Sequence, residues 1–168
     1  KNATVIMACR NMEKAQKAES DIRKSVPTGK QEIIQLDLAD LESVKKFVES
    51  FNAKYSQLDF LINNAGIMVP PFTKTKDGFE VQFGDNHLGH FALTGLLLDV
   101  LLATPQARIV NVSSAAHRFG QIDFENLYAE KIYNPSGAYG QSKLANLLFT
   151  RELNRRLVAQ GSDVMATS

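Results

Sequence analysis

The sequence predicts an α/β fold organised around a doubly wound, Rossmann-like parallel sheet. Two observations support this prediction: strand and helix patterns alternate along the 168 residues, and the strand segments are apolar runs rather than apolar at every second residue. Continuously apolar strands are typical of parallel sheets that helices cover on both faces. The length and the even composition predict one domain, residues 1–168, without a linker or an internal repeat.

The first half of the chain alternates regularly between the two patterns. In order, it predicts a strand at 3–9, a helix at 12–25, a strand at 31–38, a helix at 40–55 and a strand at 58–63. Pro27 and Gly29 follow the end of the first helix, and Asp40 is the expected N-cap of the second.

The second half predicts a helix at 81–103, a strand at 107–114, a polar loop at 115–136, a helix at 137–158 and the start of a fifth strand within 162–168. Leucines at helical spacing predict that the last helix is amphipathic, with one buried stripe. These leucines are Leu144, Leu147, Leu148 and Leu153.

Composition excludes several classes of function. The net charge of +1, with both signs interspersed, provides no basic face for nucleic acid. The single cysteine, Cys9, excludes an internal disulfide and a multi-cysteine metal site. His87 and His90 have no third ligand at suitable spacing, so no metal site is predicted. The longest apolar stretch, 91–103, contains Asp99 and is shorter than the ~20 residues of a membrane helix. No membrane segment is therefore predicted in this chain, and a cytoplasmic location is expected.

Polar or small residues follow four of the predicted strands. They are Cys9-Arg10-Asn11, Asp37-Leu38, Asn63-Asn64-Ala65-Gly66 and Ser113-Ser114. Ligands of open parallel sheets bind at the carboxyl ends of the strands, so we expect these four clusters to meet at one edge.

Tyr139 and Lys143 lie one helical turn apart, side by side on the last long helix. The motif alone has low specificity, because a tyrosine packed by its ring beside a solvated lysine would give the same pattern. The alternative is a proton-transfer pair. A free phenol has a pKa of about 10, and a neighbouring cation favours its ionised form.

Taken together, the motifs resemble one family. ACRN, LDLAD, LINNAGIM, NHLGHFALT, RIVNVSSAAH and AYGQSKLANLLFTREL occur in the order found in short-chain dehydrogenases/reductases, in the retinol-dehydrogenase-like and WW-domain-oxidoreductase-like branch. The resemblance extends over essentially the whole chain. The long spacing between Ser114 and Tyr139 is also similar to that branch.

This resemblance implies a catalytic set. Tyr139 resembles the general acid/base that exchanges a proton with the substrate oxygen, and Lys143 resembles the adjacent cation that also holds the nicotinamide ribose. Ser114 resembles the residue that hydrogen-bonds the substrate oxygen, with Ser113 as the alternative in the same motif. Asn86 resembles the helix residue that anchors a water chain reaching the lysine.

The resemblance also implies NADP as cofactor, with NAD less favoured. Arg10 stands where members that prefer NAD carry an acid, and its guanidinium suits a 2′-phosphate. Asp37 and Leu38 correspond to the adenine contacts, and the segment 64–66 to the ribose contacts. The implied cofactor-binding residues are Arg10, Asp37, Leu38, Asn64, Ala65, Gly66, Tyr139 and Lys143.

The chain departs from the family in one respect. No glycine-rich phosphate-binding turn can be placed on its ten glycines, and residue 1 corresponds to the family's second strand. We therefore expect that the first strand, its turn and the C-terminal substrate segment are lacking. In the order 3-2-1-4-5-6, the lacking strand is the central one, which would leave two strand edges without a partner. The expectation is that these 168 residues alone are inactive.

Three functions remain open. The first is an oxidoreductase acting with NADP on an alcohol or carbonyl, with an apolar retinoid-, steroid- or lipid-like substrate. The second is a non-catalytic dinucleotide-binding scaffold of the same fold, and the third a light-dependent or otherwise specialised reductase. The loop 115–136, with Phe119, Phe124 and Tyr128, is a candidate wall of the substrate pocket. Helices 81–103 and 137–158 are where members of the family pair, so a homodimer is possible. An N-terminal membrane anchor, which some members carry, also remains open.

Overall fold

The computed structural model describes residues 3–168, which form strands and helices in alternation. The strands are β1 (Thr4–Cys9), β2 (Lys30–Gln35), β3 (Phe60–Asn63), β4 (Arg108–Asn111) and β5 (Met165–Thr167). The helices are α1 (Met12–Ser25), α2 (Leu41–Asn52), α3 (Val81–Phe83), α4 (Gly89–Leu96), α5 (Leu98–Ala103) and α6 (Pro135–Ala159). A π-helical turn, Gly84–Leu88, joins α3 to α4, and a 3₁₀ helix, Ala115–Phe119, follows β4. The predicted α/β fold class is confirmed.

All paired strands are parallel, as predicted. β1 pairs with β2, from Thr4 opposite Lys30 to Cys9 opposite Gln35. β4 lies between β3 and β5, and Asn63 of β3 stands opposite Asn111 of β4. Because the strands run in the same direction within each sheet, their carboxyl ends lie together.

The two sheets do not hydrogen-bond to each other. β1 and β3 instead line a cavity of 720 Å³, with Val5, Phe60 and Ile62 exposed by 55%, 66% and 63%. The prediction that β1 is buried on both faces is therefore wrong. Within residues 3–168, no strand pairs with the edge of β1 that faces β3, and apolar side chains there remain accessible.

The core lies between the helices and the three-stranded sheet. Val44, Leu97, Leu101 and Ile109 are almost completely buried. The predicted N-cap of α2 is confirmed, because the Asp40 carboxylate accepts from the backbone N–H groups of the next turn at 3.0 and 3.3 Å. None of the helices in the described part of the chain has both the length and the apolar character needed to cross a membrane.

The predicted helix 81–103 is interrupted twice, at the π-helical turn Gly84–Leu88 and at Leu97. In a π-helical turn, each backbone hydrogen bond spans five residues instead of four. The turn needs no proline and does not interrupt the apolar pattern. Periodicity in the sequence therefore does not detect it.

The buried face of α6 is more polar than predicted. Leu153 is buried, but Leu144 and Leu147 are half-buried and Leu148 is exposed, so the predicted leucine stripe is wrong in part. This face instead contacts β4 and the π-helical turn through hydrogen bonds. Its buried polar residues are Gln141, Ser142, Lys143, Asn146 and Thr150.

Candidate active site

Six of the eight residues implied to contact a cofactor lie around one cavity, and the other two, Tyr139 and Lys143, do not line it. Arg10 follows β1, Asp37 and Leu38 follow β2, and the segment 64–66 follows β3. All of them line the 720 Å³ cavity at the carboxyl ends of these strands. Its volume lies in the range typical of small-molecule and cofactor sites. Part of this volume is the gap between β1 and β3.

Asn86 fixes the loop that follows β3. Its side chain is fully buried in the π-helical turn, where its Oδ1 accepts from the Ile67 N–H at 2.8 Å. Its Nδ2 donates to the Ile67 carbonyl at 2.9 Å and to the Ser142 hydroxyl at 3.0 Å. A Cβ atom at Gly66 would lie 3.0 Å from Asn86 Oδ1 and 3.4 Å from Lys143 Nζ. Only glycine leaves this junction undisturbed.

Lys143 is an interior cation. It is 4% exposed, its Nζ donates to the Val112 carbonyl at 3.2 Å, and the same atom lies 5.7 Å from the centroid of the Tyr139 ring. Burial lowers the pKa of Lys143, and the Asp85 carboxylate opposes this by raising it. The alternative of a solvated lysine is therefore wrong.

Tyr139 is held at the start of α6. Asn134 caps this helix by accepting from the Gly137 N–H at 2.9 Å, and Pro135 occupies the first turn. The Ser142 hydroxyl donates to the Tyr139 carbonyl at 2.8 Å. Since Ser142 also accepts from Asn86, one hydroxyl connects the backbone of Tyr139 to the loop after β3.

The two serines after β4 make different contacts. The Ser113 hydroxyl donates to the Lys143 carbonyl at 2.8 Å, which attaches β4 to α6. The Ser114 hydroxyl accepts from the Ala116 N–H at 3.2 Å and caps the 3₁₀ helix. Accepting this bond leaves the hydroxyl hydrogen of Ser114 available to a further acceptor.

The 3₁₀ helix lies directly against the start of α6. A Cβ atom at Gly120 would overlap the Gly140 carbonyl, so the two backbones approach as closely as glycine permits. The Phe119 ring contacts the same position on α6. This contact holds the segment after Ser114 against Gly140, which is the residue that follows Tyr139 in the chain.

Both histidines of the NHLGHF motif make internal hydrogen bonds. His87 Nδ1 lies 3.0 Å from Asn146 Oδ1, and His90 Nδ1 lies 3.0 Å from the Asn86 carbonyl. Burial lowers the pKa of His90 to about 4, against a smaller opposing effect of its bond to Asn86. Both rings are therefore parts of the packed interior near Asn86.

The candidate substrate loop is divided in the structure. Phe119 lines a separate cavity of 330 Å³, but Tyr139 does not. Phe124 is exposed, and Tyr128 packs on Phe79 with ring centroids 5.0 Å apart. Of the three aromatic residues expected in one wall, only Phe119 lines this cavity.

Sequence reasoning did not identify three polar residues of the site. Ser142 and Asn146 lie on the buried face of α6 and bond to the side chain and the backbone of Asn86, respectively. Asp85 precedes Asn86 and lines the 720 Å³ cavity. The only signal in the sequence was a set of polar residues at positions of α6 that face inward. Their burial could not be predicted without knowing which segments pack against α6.

The sequence matches one protein family and several curated proteins. The family model described as short chain dehydrogenase matches residues 1–168. Retinol dehydrogenase 12 of Mus musculus is 50% identical over 166 residues, which are 99% of this chain and 52% of that protein. Retinol dehydrogenase 11 of Homo sapiens is 50% identical over 163 residues, covering 96% of this chain and 51% of that protein. The chain thus spans about half the length of the curated relatives it matches.

Solved structures share the fold. A protein from Mycobacterium paratuberculosis has a TM-score of 0.85 and 50% identity, covering 96% of this chain and 56% of that one. A short chain dehydrogenase from Shigella flexneri complexed with NADP has a TM-score of 0.70 and 26% identity, covering 92% and 61%. A short chain dehydrogenase/reductase from Burkholderia phymatum in complex with NAD has a TM-score of 0.70 and 20% identity, covering 99% and 54%, and shows the fold alone.

Proposed function

The chain belongs to the short-chain dehydrogenase family, and from this membership we propose that it acts in an oxidoreductase that transfers a hydride between NADP(H) and an alcohol or carbonyl substrate. We propose Tyr139 as the general acid/base, Lys143 as the adjacent cation, Ser114 as the hydrogen-bond donor to the substrate oxygen and Asn86 as the anchor of the site. The retinol dehydrogenases among the relatives support an apolar substrate such as a retinoid, a steroid or a lipid.

The residues around the 720 Å³ cavity fit a dinucleotide. The absence of a side chain at Gly66 allows a ligand to approach the loop backbone closely, and Asp37 and Leu38 would border the adenine. Arg10, exposed at the cavity, offers a planar guanidinium to a 2′-phosphate, and this favours NADP over NAD. When bound, NADP(H) supplies or accepts the hydride.

The protein residues manage the proton. In carbonyl reduction, Tyr139 Oη would donate its proton to the substrate oxygen while the Ser114 hydroxyl hydrogen-bonds that same oxygen. In alcohol oxidation, Tyr139 would take the proton back. The Lys143 ammonium favours the ionised phenol that proton donation leaves, because this buried cation lies 5.7 Å from the centroid of the Tyr139 ring.

One observation carries this proposal: a buried ammonium lies beside the Tyr139 ring and next to Asn86 and Gly66, and Gly66 lines the cofactor cavity. Burial of a cation is costly in free energy, and the hydrogen bond from Lys143 to the Val112 carbonyl does not neutralise its charge. A role in chemistry accounts for a buried charge at this position.

The test is the Tyr139→Phe variant of the complete protein. We expect it to bind NADPH with wild-type affinity and to lose about 10²–10⁴-fold in carbonyl reduction, because it lacks the acid. Tyr55→Phe is the matched control, since Tyr55 bonds to Glu32, outside the site, and it should keep full turnover. Undiminished turnover by Tyr139→Phe would contradict the proposal. If the wild type shows no turnover and Tyr139→Phe binds a partner as the wild type does, the result would favour the alternative of a non-catalytic scaffold.

A homodimer formed through α4 and α6 accompanies this proposal. Phe91 of α4 and Leu148 of α6 are exposed, and the Phe91 and Phe149 rings lie 5.2 Å apart, so the two helices present an apolar surface together. Light scattering on the complete protein should give twice the monomer mass, and Phe91→Glu should reduce it to the monomer mass. A monomeric wild-type protein would contradict this part.

A further inference from the structure

Val69 has a backbone conformation that β-branched residues rarely adopt. It lies between β3 and α3, and its φ of 56° falls in the left-handed region, where a Cβ atom crowds the backbone. Strain of this kind persists only where neighbouring groups hold the residue in place, and it is concentrated at ligand-binding sites. The group that holds Val69 therefore indicates what the strained segment does.

Gln82 holds Val69 through a fully buried side chain. Its Oε1 accepts from the Val69 N–H at 2.8 Å, and its Nε2 donates to the Pro135 carbonyl at 2.9 Å and to the Tyr133 hydroxyl at 3.1 Å. The Tyr133 hydroxyl in turn donates to the Pro70 carbonyl at 2.7 Å. One buried amide group thus attaches the strained segment to the first turn of α6.

The segment Ile67–Val69 approaches α6 at both of its ends. Before it, a Cβ atom at Gly66 would lie 3.4 Å from Lys143 Nζ. At its other end, the buried amide group leads to the carbonyl of Pro135. Pro135 and Lys143 lie four residues before and four residues after Tyr139 on the same helix. The segment therefore passes beside the turn of α6 that carries Tyr139.

Met68 presents an apolar side chain at this point and is 67% exposed. Ile67 lines the cavity proposed for the dinucleotide, while Met68 lies outside that lining. The segment thus leaves the cofactor cavity where Met68 begins. The flexible, polarisable side chain of methionine adapts to apolar ligands of different shapes.

We propose that Gln82 is a positioning residue of the substrate site, which holds Ile67–Val69 beside Tyr139 so that Met68 contacts an apolar substrate. This inference rests on the proposed function. A substrate whose carbonyl oxygen meets Tyr139 extends its hydrocarbon chain along the neighbouring segment. Because contact with Met68 removes apolar surface from water, it favours a carbonyl with a long hydrocarbon chain over one with a short chain.

The first experiment measures kcat and KM of the complete protein for decanal and butanal at saturating NADPH. We expect Met68→Ser to raise the KM for decanal several-fold, because it removes the apolar contact, and to leave the KM for butanal and both kcat values nearly unchanged. Met165→Ser is the matched control, because Met165 is also exposed but stands at the start of β5, opposite Arg108 at the start of β4. This control should keep the wild-type KM values. A KM for decanal that is unchanged in Met68→Ser, or that rises no more than the KM for butanal, would overturn the contact.

The second experiment tests the role of Gln82 through the strain at Val69. Gln82→Ala should raise the KM for decanal several-fold and leave the dissociation constant of NADPH nearly unchanged, because the segment leaves its strained course. Glycine adopts a positive φ without strain, so Val69→Gly in the same chain should restore much of the loss. A folded Gln82→Ala protein with wild-type KM, or one that Val69→Gly does not restore, would overturn the positioning role.

The wild-type protein separates this inference from the proposed function. Reduction of both aldehydes by the wild type, with either variant series failing as described, would overturn the inference alone. Binding of NADPH without reduction of any carbonyl compound by the wild type would overturn the proposed function together with it.

Discussion

The Ser113 hydroxyl donates a hydrogen bond to the Lys143 carbonyl over 2.8 Å, which connects the end of β4 to the helix that carries the candidate cation and phenol. Its neighbour Ser114 caps the 3₁₀ helix instead and retains a hydroxyl hydrogen for another acceptor. Adjacent residues of identical chemistry thus have different surroundings, and substitutions can separate their contributions.

We expect Ser114→Ala to reduce turnover about 10²–10³-fold in the complete protein, because it removes a donor to the substrate oxygen. Ser113→Ala should instead lower the free energy of unfolding by about 1 kcal/mol and affect turnover much less, because it removes a structural hydrogen bond. Steady-state kinetics and urea denaturation of both variants provide the measurement. The reverse assignment, with Ser113→Ala the more damaging to turnover, would show that Ser113 contacts the substrate.

Gly66→Ala should impair the site through crowding. The new methyl group would lie 3.0 Å from Asn86 Oδ1 and 3.4 Å from Lys143 Nζ, so one of these side chains has to move. We expect weaker NADPH binding and lower turnover. Gly95→Ala is the matched control, because its Cβ meets no atom within 4 Å and alanine favours the helix by about 1 kcal/mol. Equal effects of the two substitutions on NADPH affinity would show that the junction at Gly66 is unimportant.

The stability of the protein should fall in mild acid because of His90. Its pKa is about 4 in the folded state against 6.5 as the ordinary value, so between these values the unfolded chain binds a proton that the folded protein does not. Stability is therefore complete above pH 6.5 and decreases toward pH 4, by about 3 kcal/mol from this group. Urea denaturation over this range measures the decrease.

His90→Gln removes the titrating group and retains a side-chain donor for the Asn86 carbonyl. We expect a smaller slope of stability against pH, although burial also lowers the pKa of His87, which still contributes. His117→Gln, in the 3₁₀ helix, should keep the wild-type slope because His90 is present. A slope that is identical in His90→Gln and the wild type would contradict the assignment.

Residues 1–168 by themselves should not bind NADPH tightly. The edges of β1 and β3 face each other across a cavity without a strand between them, and no glycine-rich turn occurs in these residues. Backbone N–H groups of such a turn are the usual ligands of the pyrophosphate. Fluorescence titration of the isolated 168 residues tests this, with the complete protein as the positive control. Saturable micromolar binding by the isolated residues would refute it.

Much of the fold could be predicted because its signals are local. The alternation of strands and helices and the Asp40 cap depend on neighbouring residues, and the structure confirms both. The π-helical turn at Gly84–Leu88 was not predicted, because it leaves the apolar pattern of the helix intact. The polar buried face of α6 was not predicted, because it depends on hydrogen bonds between distant segments. In particular, Ser142 and Asn146 resemble surface residues until the partner of α6 is known.

In the candidate site, too, residues within sequence motifs could be predicted, whereas contacts between distant segments could not. Resemblance indicated Asn86, Gly66 and Lys143, and in the structure the side chains of Asn86 and Lys143 both reach the space beside Gly66. It gave no indication of Asp85, which lines the same cavity as Arg10. A cavity shared by distant segments is visible only in the folded structure.

The rate of hydride transfer in a single turnover of Lys143→Met, at saturating NADPH, tests the central claim most directly. Lys45→Met on α2 is the control, since that lysine is exposed and pairs with Glu42, also on the surface of α2. With both variants folded and loaded with cofactor, we predict that Lys143→Met is slower by about 10²-fold or more, because the phenolate loses its counter-charge. A rate equal to that of the wild type and of Lys45→Met would contradict the claim that the buried ammonium supports proton transfer by Tyr139.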